Sequence, residues 1–269
     1  MKKFKAVLLG MAVVLSLGLI AGCSNNDDSD KKSADNGLEK IKKAGVVKIG
    51  IKEDVPNFGF LNPDTNKHEG MEIELSKKIA KDLTGSEDNI EFVGVTAKTR
   101  GPLLDNGEVD MIIATFTITD ERKETYNFST PYYQDEIGFL VRNDEGVDSM
   151  KDLDGKMIGV AQTATTKQSL EEKAKEIGIT LEFSEYSTYP ELKTALTSKR
   201  IDAFSVDKSI LTGYVDKGTK ILDDGFSPQE YGVATKKSNK ELHEHLNKLI
   251  EGWESDGTLD EIYANNGLK

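Results

Sequence analysis

The order of apolar and polar positions along the chain predicts strands that alternate with helices. Short runs rich in β-branched residues, "VVKIGI" and "KMIGVA", are each followed by a longer amphipathic stretch, "MEIELSKKIAKDLTG" and "TTKQSLEEKAKEIG". The short runs are typical of strands, and the longer stretches carry apolar residues at helical spacing. We therefore predict an α/β protein whose parallel sheets are covered by helices.

A second pattern is an internal repeat. The unit "IEFVGV", "GPLLDNGE" and "VDMIIATFT" is echoed later by "LEFSEY", "ELKTALTSKR" and "IDAFSVDKS". The spacing from Ile90 to Asp110 is 20 and that from Leu181 to Asp202 is 21, so one insertion aligns the two units. Each unit predicts a strand, a helix and a strand, and the two copies predict two lobes of similar build.

The two lobes define the predicted domain organisation. We assign residues 38–132 and 236–269 to the first lobe, residues 137–230 to the second lobe, and residues 133–136 and 231–235 to the hinges where the chain crosses over. The segment "ELHEHLNKLIEGW" has apolar residues at helical spacing and is expected to pack back on the first lobe.

The repeat also indicates where a ligand would bind. Thr115 and Asp207 each lie five residues beyond the repeat aspartates Asp110 and Asp202, at the carboxyl ends of matching strands. Ligands of open α/β sheets bind at that edge, so we expect a ligand cleft between the two lobes.

One predicted helix near this edge starts in an unusual way. In "ATFTITDERKETY", Thr119 is a suitable N-cap, but Arg122 then falls in the first turn, where a cation opposes the helix dipole at a cost of about 0.3 to 1 kcal/mol. Arg122 could pair locally with an acidic neighbour, or it could grip a ligand carboxylate together with the groups around Thr115 and Thr117. The chemistry of the residues leaves both explanations open.

The amino-terminal segment predicts export and lipidation. Residues 1–22 have a basic start and an apolar run that is short for a bilayer core of about 30 Å, as in a signal peptide. The run ends in "LIAGC", which matches the bacterial lipoprotein pattern, so we expect lipidation at Cys23, the only cysteine. The alternative is an ordinary thiol after an ordinary signal peptide. Residues 23–37 are polar and are predicted to form a disordered tether.

Net charge excludes some partners. The chain carries a formal charge of −12, with 47 acidic and 35 basic residues. Such an excess argues against nucleic acid and anionic membrane surfaces as partners. The expected location is outside the cytoplasmic membrane, with attachment through the lipid on Cys23.

Several motifs, in order over nearly the whole mature chain, resemble a known family. These are "GMEIELSKKIA", "TRGPLLDNGEVDMIIATFTITDERKETYNFSTPYY", "IGVAQTATT" and "RIDAFSVDKS". They are similar to those of the extracytoplasmic solute-binding proteins of polar amino-acid ABC importers, family 3, and most of all to the aspartate- and glutamate-binding lipoproteins. The resemblance implies a two-lobed, periplasmic-binding-protein-like α/β fold of type II, with two crossovers and the ligand between the lobes.

The resemblance also implies roles for individual residues. Arg122 would hold the α-carboxylate of an amino acid together with Thr117, and Thr115 and Asp207 would accept the α-ammonium group. Asp207 could instead pair with the adjacent Lys208.

The resemblance implies that Arg100 and Lys52 recognise the ligand side chain, because binders of acidic amino acids carry cations at these positions. Tyr189 would add a hydroxyl, and Thr165 and Thr166 open a helix whose amino end favours an anion. Lys52, Tyr189 and the two threonines each have a structural alternative. Lys52 could be a solvated lysine at a strand end, Tyr189 could belong to the core or the rim, and the threonines could only cap the helix.

Charge counting then points to an acidic ligand. Arg122 and Asp207 suffice for a zwitterion, so Arg100 and Lys52 would be costly buried positive charge unless a second carboxylate offsets them. We therefore predict that the protein binds aspartate or glutamate and delivers it to an ABC permease. A glutamine or other polar amino-acid binder of the same importer class is the alternative.

Other classes of function have little support in the sequence. A dehydratase-like enzyme on the same fold has no strong support in the residues, and a surface adhesin or sensor that uses the same two lobes is a further alternative. His243 and His245 lie two apart on a predicted helix and face different ways, and His68 lies in a turn-like segment. We expect no catalysis, no metal and no cofactor, and a monomeric protein.

Overall fold

A computed structural model describes residues 37–268 of the chain, in which two mixed sheets are covered by helices. The helices are α1 (Gly37–Ala44), α2 (Met71–Thr84), α3 (Arg100–Asn106), α4 (Asp120–Thr125), α5 (Thr166–Ile177), α6 (Tyr189–Thr197), α7 (Lys208–Thr212), α8 (Lys240–Ser255) and α9 (Thr258–Asn265). The strands are β1 (Val47–Ile51), β2 (Asp54–Val55), β3 (Gly59–Asn62), β4 (Lys67–Glu69), β5 (Ile90–Gly94), β6 (Met111–Ile113), β7 (Tyr126–Phe128), β8 (Tyr133–Arg142), β9 (Met157–Ala161), β10 (Glu182–Tyr186), β11 (Ala203–Asp207), β12 (Thr219–Ile221), β13 (Phe226–Tyr231) and β14 (Ala234–Lys236).

The first sheet belongs to the first lobe and has the order β5-β1-β6-β14-β7. Strand β1 is parallel to β5 and β6, whereas β14 is antiparallel to both β6 and β7. The expectation of parallel sheets was therefore wrong in part. The antiparallel strand is a three-residue segment that returns from the second lobe, too short to give a periodic signal.

The second sheet belongs to the second lobe and has the order β10-β9-β11-β8-β12, with β13 also paired to β8. Strands β9, β10 and β11 are parallel, and the ten-residue β8 runs antiparallel to β11. The two sheets thus have the same arrangement. Three parallel strands lie side by side, and the next strand in the sheet, β14 in the first and β8 in the second, runs antiparallel and begins next to a crossover.

The predicted repeat corresponds to these parallel strands. Asp110 precedes β6, and its carboxylate accepts a hydrogen bond from the Lys48 amide at 2.9 Å. Asp202 precedes β11, and its carboxylate accepts one from the Met157 amide at 2.8 Å. The amide of each aspartate donates back to the carbonyl of the same partner. The two repeat aspartates therefore tie the amino ends of matching strands in the same way.

The chain passes between the sheets at two adjacent places. Strand β8 begins at Tyr133, which pairs with Tyr231 at the end of β13, and β14 starts in the other sheet at Ala234. Residues 133–136 and 231–235, the predicted hinges, therefore lie largely within strands. That they act as hinges stays a prediction.

The carboxyl-terminal helices pack on the first lobe, as predicted. Leu242, Leu246 and Ile250 of α8 are buried, and α8 contacts β7 and β14 of the first sheet. In α9, the Tyr263 hydroxyl donates to the carbonyl of Tyr132, just before β8.

The predicted signal peptide, the lipidation site Cys23 and nearly all of the predicted tether lie outside the described residues. One boundary needs correction, because Gly37 was placed in the tether but is the first residue of α1. Its backbone lies against the side chain of Asn239, where a Cβ atom would come within 2.6 Å of the amide nitrogen. From Gly37 to Leu268, the chain has no helix that is both long and apolar enough to cross a membrane.

Candidate functional site

The two lobes meet along the edge where the parallel strands end. The hydroxyl of Thr163, after β9, donates to the carbonyl of Ala97 in the first lobe at 2.9 Å. The Tyr214 hydroxyl of the second lobe donates to the carbonyl of Asp54. The residues predicted to bind a ligand lie at or behind this contact.

Helix α4 begins as the sequence predicts. The hydroxyl of Thr119 accepts a hydrogen bond from the Arg122 amide at 3.1 Å, so Thr119 is the N-cap. Asp120 and Glu121 then occupy the first turn.

Arg122 forms no ion pair within 4.0 Å with Asp120 or Glu121, and Glu121 contributes only a longer-range electrostatic interaction. Asp120 pairs with Lys123 at 3.4 Å instead. The Arg122 guanidinium donates to the carbonyl of Thr117 at 2.8 Å and, across the lobes, to the carbonyl of Thr163 at 3.2 Å. Burial lowers the pKa of Arg122 to about 9, with the nearby Arg100 as a smaller cause. A desolvated guanidinium held only by neutral acceptors favours an anion close to it.

Arg100 is buried more deeply than Arg122, at the first turn of α3. It donates to the carbonyls of Ala114 at 2.7 Å and Thr115 at 3.0 Å. Its guanidinium lies 4.1 Å from the ring centre of Phe116, and that of Arg122 lies 4.7 Å from the same ring. Burial lowers the pKa of Arg100 as well.

Thr115 has a backbone conformation that a β-branched residue rarely adopts, with φ of +44°. Its amide donates to Oε1 of Glu72 at 2.6 Å, and its carbonyl accepts from Arg100. These bonds on both sides hold the strained residue, and strain of this kind clusters at functional sites.

Glu72 is the main site residue that the sequence reasoning missed. It lies in the first turn of α2 and is fully buried. A signal was present, because Leu75, Ser76 and Ile79 follow it by three, four and seven residues and are buried on the same helix face. Burial raises the pKa of Glu72 to about 7.

Lys52 is 1% exposed, so it is not a solvated lysine at a strand end. Its ammonium group pairs with Asp54 at 2.8 Å and lies 4.6 Å from the ring centre of Tyr189. The amide of Tyr189 also donates to Asp54, at 3.3 Å across the lobes. Lys52 therefore already has a carboxylate partner, which the charge count from the sequence left out.

Asp207 ends β11 and is 5% exposed. Its carboxylate accepts from the hydroxyl of Tyr231, and burial raises its pKa to about 7. Lys208 pairs with Glu136 at 2.8 Å, so the predicted alternative of an Asp207–Lys208 pair was wrong.

Thr165 lies at the amino end of α5, but its hydroxyl does not cap the helix. The hydroxyl donates to the side-chain carbonyl of Gln229 at 2.8 Å. Thr165 shares a cavity of about 560 Å³ with Thr117, Arg122 and Thr163. The neighbouring Thr166 is buried.

The structure brings all eight predicted residues to the contact between the lobes, in two groups. Thr117, Arg122 and Thr165 line the cavity. The other five are buried behind it: Lys52, Arg100, Thr115, Tyr189 and Asp207.

Unpartnered polar atoms also collect here. Among the described residues, the buried side-chain atoms without a hydrogen-bond partner include Oε2 of Glu72, Nε of Arg100 and Oγ1 of Thr115. These three residues are linked to one another by hydrogen bonds. Since buried polar groups are normally satisfied, three linked residues with unpartnered atoms set this place apart from an ordinary core.

Six of the charged side chains at this contact form what we term the cleft charge cluster, which leaves out Glu121 beside Arg122 and Asp135 beside Asp207. Its members are Lys52, Asp54, Glu72, Arg100, Arg122 and Asp207. The three cations and three carboxylates are coupled electrostatically: Lys52 to Asp54 and Glu72, Arg100 to Glu72 and Asp207, and Arg122 to Asp207. With all six ionised, the cluster is neutral.

Two of the three histidines contact carboxylates that are not members of this cluster. His68 contacts Glu53 at 2.9 Å and His245 contacts Asp82, both as simple pairs. Between residues 37 and 268, no group of three or more His, Cys, Asp or Glu side chains could hold a metal ion.

Comparison with known proteins identifies the family. Residues 47–268 match the bacterial extracellular solute-binding proteins, family 3. The chain is 35% identical over 267 residues to the ABC transporter glutamine-binding protein of Bacillus subtilis, covering 98% of this chain and 96% of that protein. It is 30% identical to the glutamate-binding protein of Corynebacterium glutamicum, covering 97% and 92% of the two chains.

A solved structure shows the same fold. The cysteine-binding protein of Campylobacter jejuni superposes with a TM-score of 0.78 at 32% identity, covering 86% of this chain and 92% of that one. The predicted two-lobed, periplasmic-binding-protein-like α/β fold is thereby confirmed. The chain belongs to family 3 of the bacterial extracellular solute-binding proteins.

Proposed function

We propose that this protein binds a polar amino acid outside the cytoplasmic membrane and delivers it to an ABC permease. The family supports this, as do the relatives, whose names specify binding of glutamine and of glutamate. Two lobes that meet over charged side chains suit a ligand that is enclosed on binding.

The α-substituents of the amino acid are assigned to residues of both lobes. Arg122 and Thr117 hold the α-carboxylate, which enters from the cavity that they share with Thr165. Asp207 and Thr115 accept the α-ammonium group. The support for Arg122 is its desolvated guanidinium, whose only hydrogen-bond partners among residues 37–268 are carbonyl oxygens.

The ligand side chain is proposed to be neutral, which favours glutamine over the acidic amino acids. The observation that carries this proposal is the neutrality of the cleft charge cluster. The predicted acidic ligand rested on two unpaired cations, but Lys52 pairs with Asp54 and Arg100 faces Glu72. A zwitterion with an amide side chain adds no net charge to this cluster, with Lys52, Arg100 and Tyr189 around the amide.

An acidic amino acid is the second candidate, and one observation favours it. Among the described residues Arg100 forms no ion pair within 4.0 Å, although it is buried. A ligand carboxylate beside Arg100 would bring one negative charge in excess. Glu72 or Asp207, each with a pKa raised to about 7, would take up a proton to offset it.

Calorimetry with four ligands tests the proposal. Glutamine is expected to bind more tightly than glutamate by about tenfold or more near pH 8, since one tenfold step is about 1.4 kcal/mol. Asparagine and aspartate provide a matched pair that is one methylene shorter. Tighter binding of the acid in both pairs would overturn the neutral assignment in favour of the acidic one, and no binding of any amino acid would overturn the function itself.

Attachment to the membrane through lipidated Cys23, and action as a monomer, are parts of the same proposal. The pattern "LIAGC" supports the lipid. Mass spectrometry of the mature amino terminus and sedimentation of the protein with and without glutamine test these two points. An unmodified Cys23, or a stable dimer, would contradict them.

A further inference from the structure

Glu72 is a buried carboxylate that makes no contact with the ligand in the proposed binding of glutamine. It is placed by the first turn of α2, which presents it on the buried face of that helix. Its Oε1 accepts two hydrogen bonds of 2.6 Å, from the amide of Thr115 and from the hydroxyl of Tyr132. Its Oε2 is buried and has no partner among the described residues.

A short chain of bonds connects Glu72 to the cation predicted to face the ligand side chain. Glu72 holds the amide of Thr115, and the carbonyl of Thr115 accepts from Arg100 at 3.0 Å. The charged and titratable groups that face Glu72 are Arg100 from α3, Lys52 after β1, Tyr132 before β8 and, from the second lobe, Tyr189 of α6. Glu72 is therefore the carboxylate that balances Arg100 from the first lobe.

The charge on Glu72 can change near neutral pH. Burial raises its pKa to about 7, while the hydrogen bonds from Tyr132 and Thr115 favour the ionised form. A second negative charge placed near Arg100 would raise that pKa further, because like charges disfavour ionisation. Since Oε1 already accepts two hydrogen bonds, the added proton belongs on Oε2.

We propose that Glu72 is a specificity-determining residue: its ionised form fits the site to an amide side chain, and protonation of Oε2 fits the site to a side-chain carboxylate. This inference rests on the proposed amino-acid binding and refines it. An ionised Glu72 and a ligand carboxylate would both face Arg100, and one of them must give up its charge or be disfavoured. The proton for Oε2 comes from solvent, so the preference for amide over acid depends on pH.

The substitution Glu72→Gln tests the proposal with little change of shape. The glutamine side-chain carbonyl can still accept from the Thr115 amide, but the negative charge is removed. Glu74→Gln is the matched control, since Glu74 lies in the same turn and its carboxylate accepts only from Asn265 and Asn266 among the described residues. The quantity measured is the ratio of the glutamate and glutamine dissociation constants near pH 8.

We expect Glu72→Gln to shift this ratio toward glutamate by about tenfold or more, and Glu74→Gln to leave it unchanged. In the wild type, the ratio should shift toward glutamate as pH falls from about 8 to about 6, and in Glu72→Gln it should stay flat. Both ligands keep their charges over this range, and loss of the contact between Asp207 and the α-ammonium group affects both ligands alike. A ratio that still changes with pH in Glu72→Gln would place the proton on Asp207 and overturn the proposal.

Several outcomes would overturn the proposal. Equal loss of both ligands in Glu72→Gln would make Glu72 a structural residue only. A wild-type ratio that does not change with pH would also show that Glu72 does not set specificity. This measurement does not need the variant, so it tests the proposal even if Glu72→Gln does not fold. Failure of the wild type to bind glutamine or glutamate at all is a different result, because it would contradict the proposed function and not this inference alone.

Discussion

The two copies of the internal repeat are alike at one end and different at the other. At the amino ends of their second strands, Asp110 and Asp202 make the same pair of bonds to Lys48 and Met157. At the carboxyl ends, the first copy continues into strained Thr115, whereas the second ends in Asp207 at the start of α7.

The difference separates scaffold from site. The bonds of Asp110 and Asp202 at the amino ends fix the strand register, and neither aspartate has a buried side-chain atom without a partner. The carboxyl edge holds strain, buried charge and unsatisfied atoms, and most of these lie in the first lobe: Lys52, Glu72, Arg100, Thr115 and Arg122. We infer that the first lobe supplies most of the proposed binding residues, while the second lobe adds Thr165, Tyr189 and Asp207.

The largest expected effect on binding comes from Arg122, the cation that follows the first copy of the repeat. Arg122→Ala should weaken amino-acid binding more than a hundredfold, because breaking a buried charge pair costs about 3 to 5 kcal/mol. Lys123→Ala is the control, as Lys123 is exposed and pairs only with Asp120 among the described residues. Calorimetry gives the affinities and circular dichroism the melting temperatures. Near-normal affinity in Arg122→Ala would remove the α-carboxylate assignment.

A smaller effect is expected from the second copy's carboxylate. Asp207→Asn should weaken binding by about tenfold to a hundredfold near pH 8, since a hydrogen bond to a charged group contributes about 1.5 to 3 kcal/mol. In the wild type, affinity should fall as pH drops below about 7, where Asp207 takes up a proton. Asp207→Asn should lack that fall, and the same pH profile in both proteins would contradict the role of Asp207.

The stability of the ligand-free protein should show the opposite pH dependence. Burial raises the pKa of Asp207 from its usual value near 3.8 to about 7, so its contribution to stability is present below the lower value and is lost as pH rises through about 7. Wild type should therefore lose more stability between pH 4 and pH 7 than Asp207→Asn does. Denaturant titrations at several pH values measure this difference.

The smallest effect on binding is expected at the ends that the two copies share. Asp110→Ala and Asp202→Ala should each lower the free energy of unfolding by about 1 to 3 kcal/mol, because each leaves a strand amide without its acceptor. Asp202→Ala should cost more, since Asp202 also lies 3.6 Å from Arg142. Glutamine affinity measured well below the melting temperature should not change. A large loss of affinity in either variant would contradict the separation of scaffold from site.

Much of the fold was predictable because its signals are local. The strands and helices of the repeat show in the alternation of apolar residues, and the cap at Thr119 shows in the residue type alone. Strand β14 was not predictable as an antiparallel neighbour of β6, since three residues carry no period and their partners are distant in sequence.

The site was predictable in its residues but not in its charge. Family motifs pointed to Arg122, Arg100 and Asp207, and the structure places all three at the contact between the lobes. The carboxylates near Arg100 and Lys52 were missed because burial of Glu72 and pairing of Asp54 with Lys52 depend on how separate elements pack. A count of charges along the sequence therefore gave an acidic ligand, whereas the charges of the folded arrangement are the basis of our proposal of a neutral one.

The position of β14 has a consequence for the order of folding. Ala234 pairs with both Ile112 and Phe128, so β14 lies between two strands that precede the whole second lobe in the chain. All strands of the second sheet come from one continuous part of the chain, β8 to β13. The first sheet is complete only when β14, which follows that part in the sequence, has joined it. Contacts between distant segments form late because the intervening loop must first be closed. The second lobe is therefore expected to fold before the first. In a chain that ends before Ala234, Asp207 would lie in a complete second sheet, while the first sheet would lack β14 between β6 and β7.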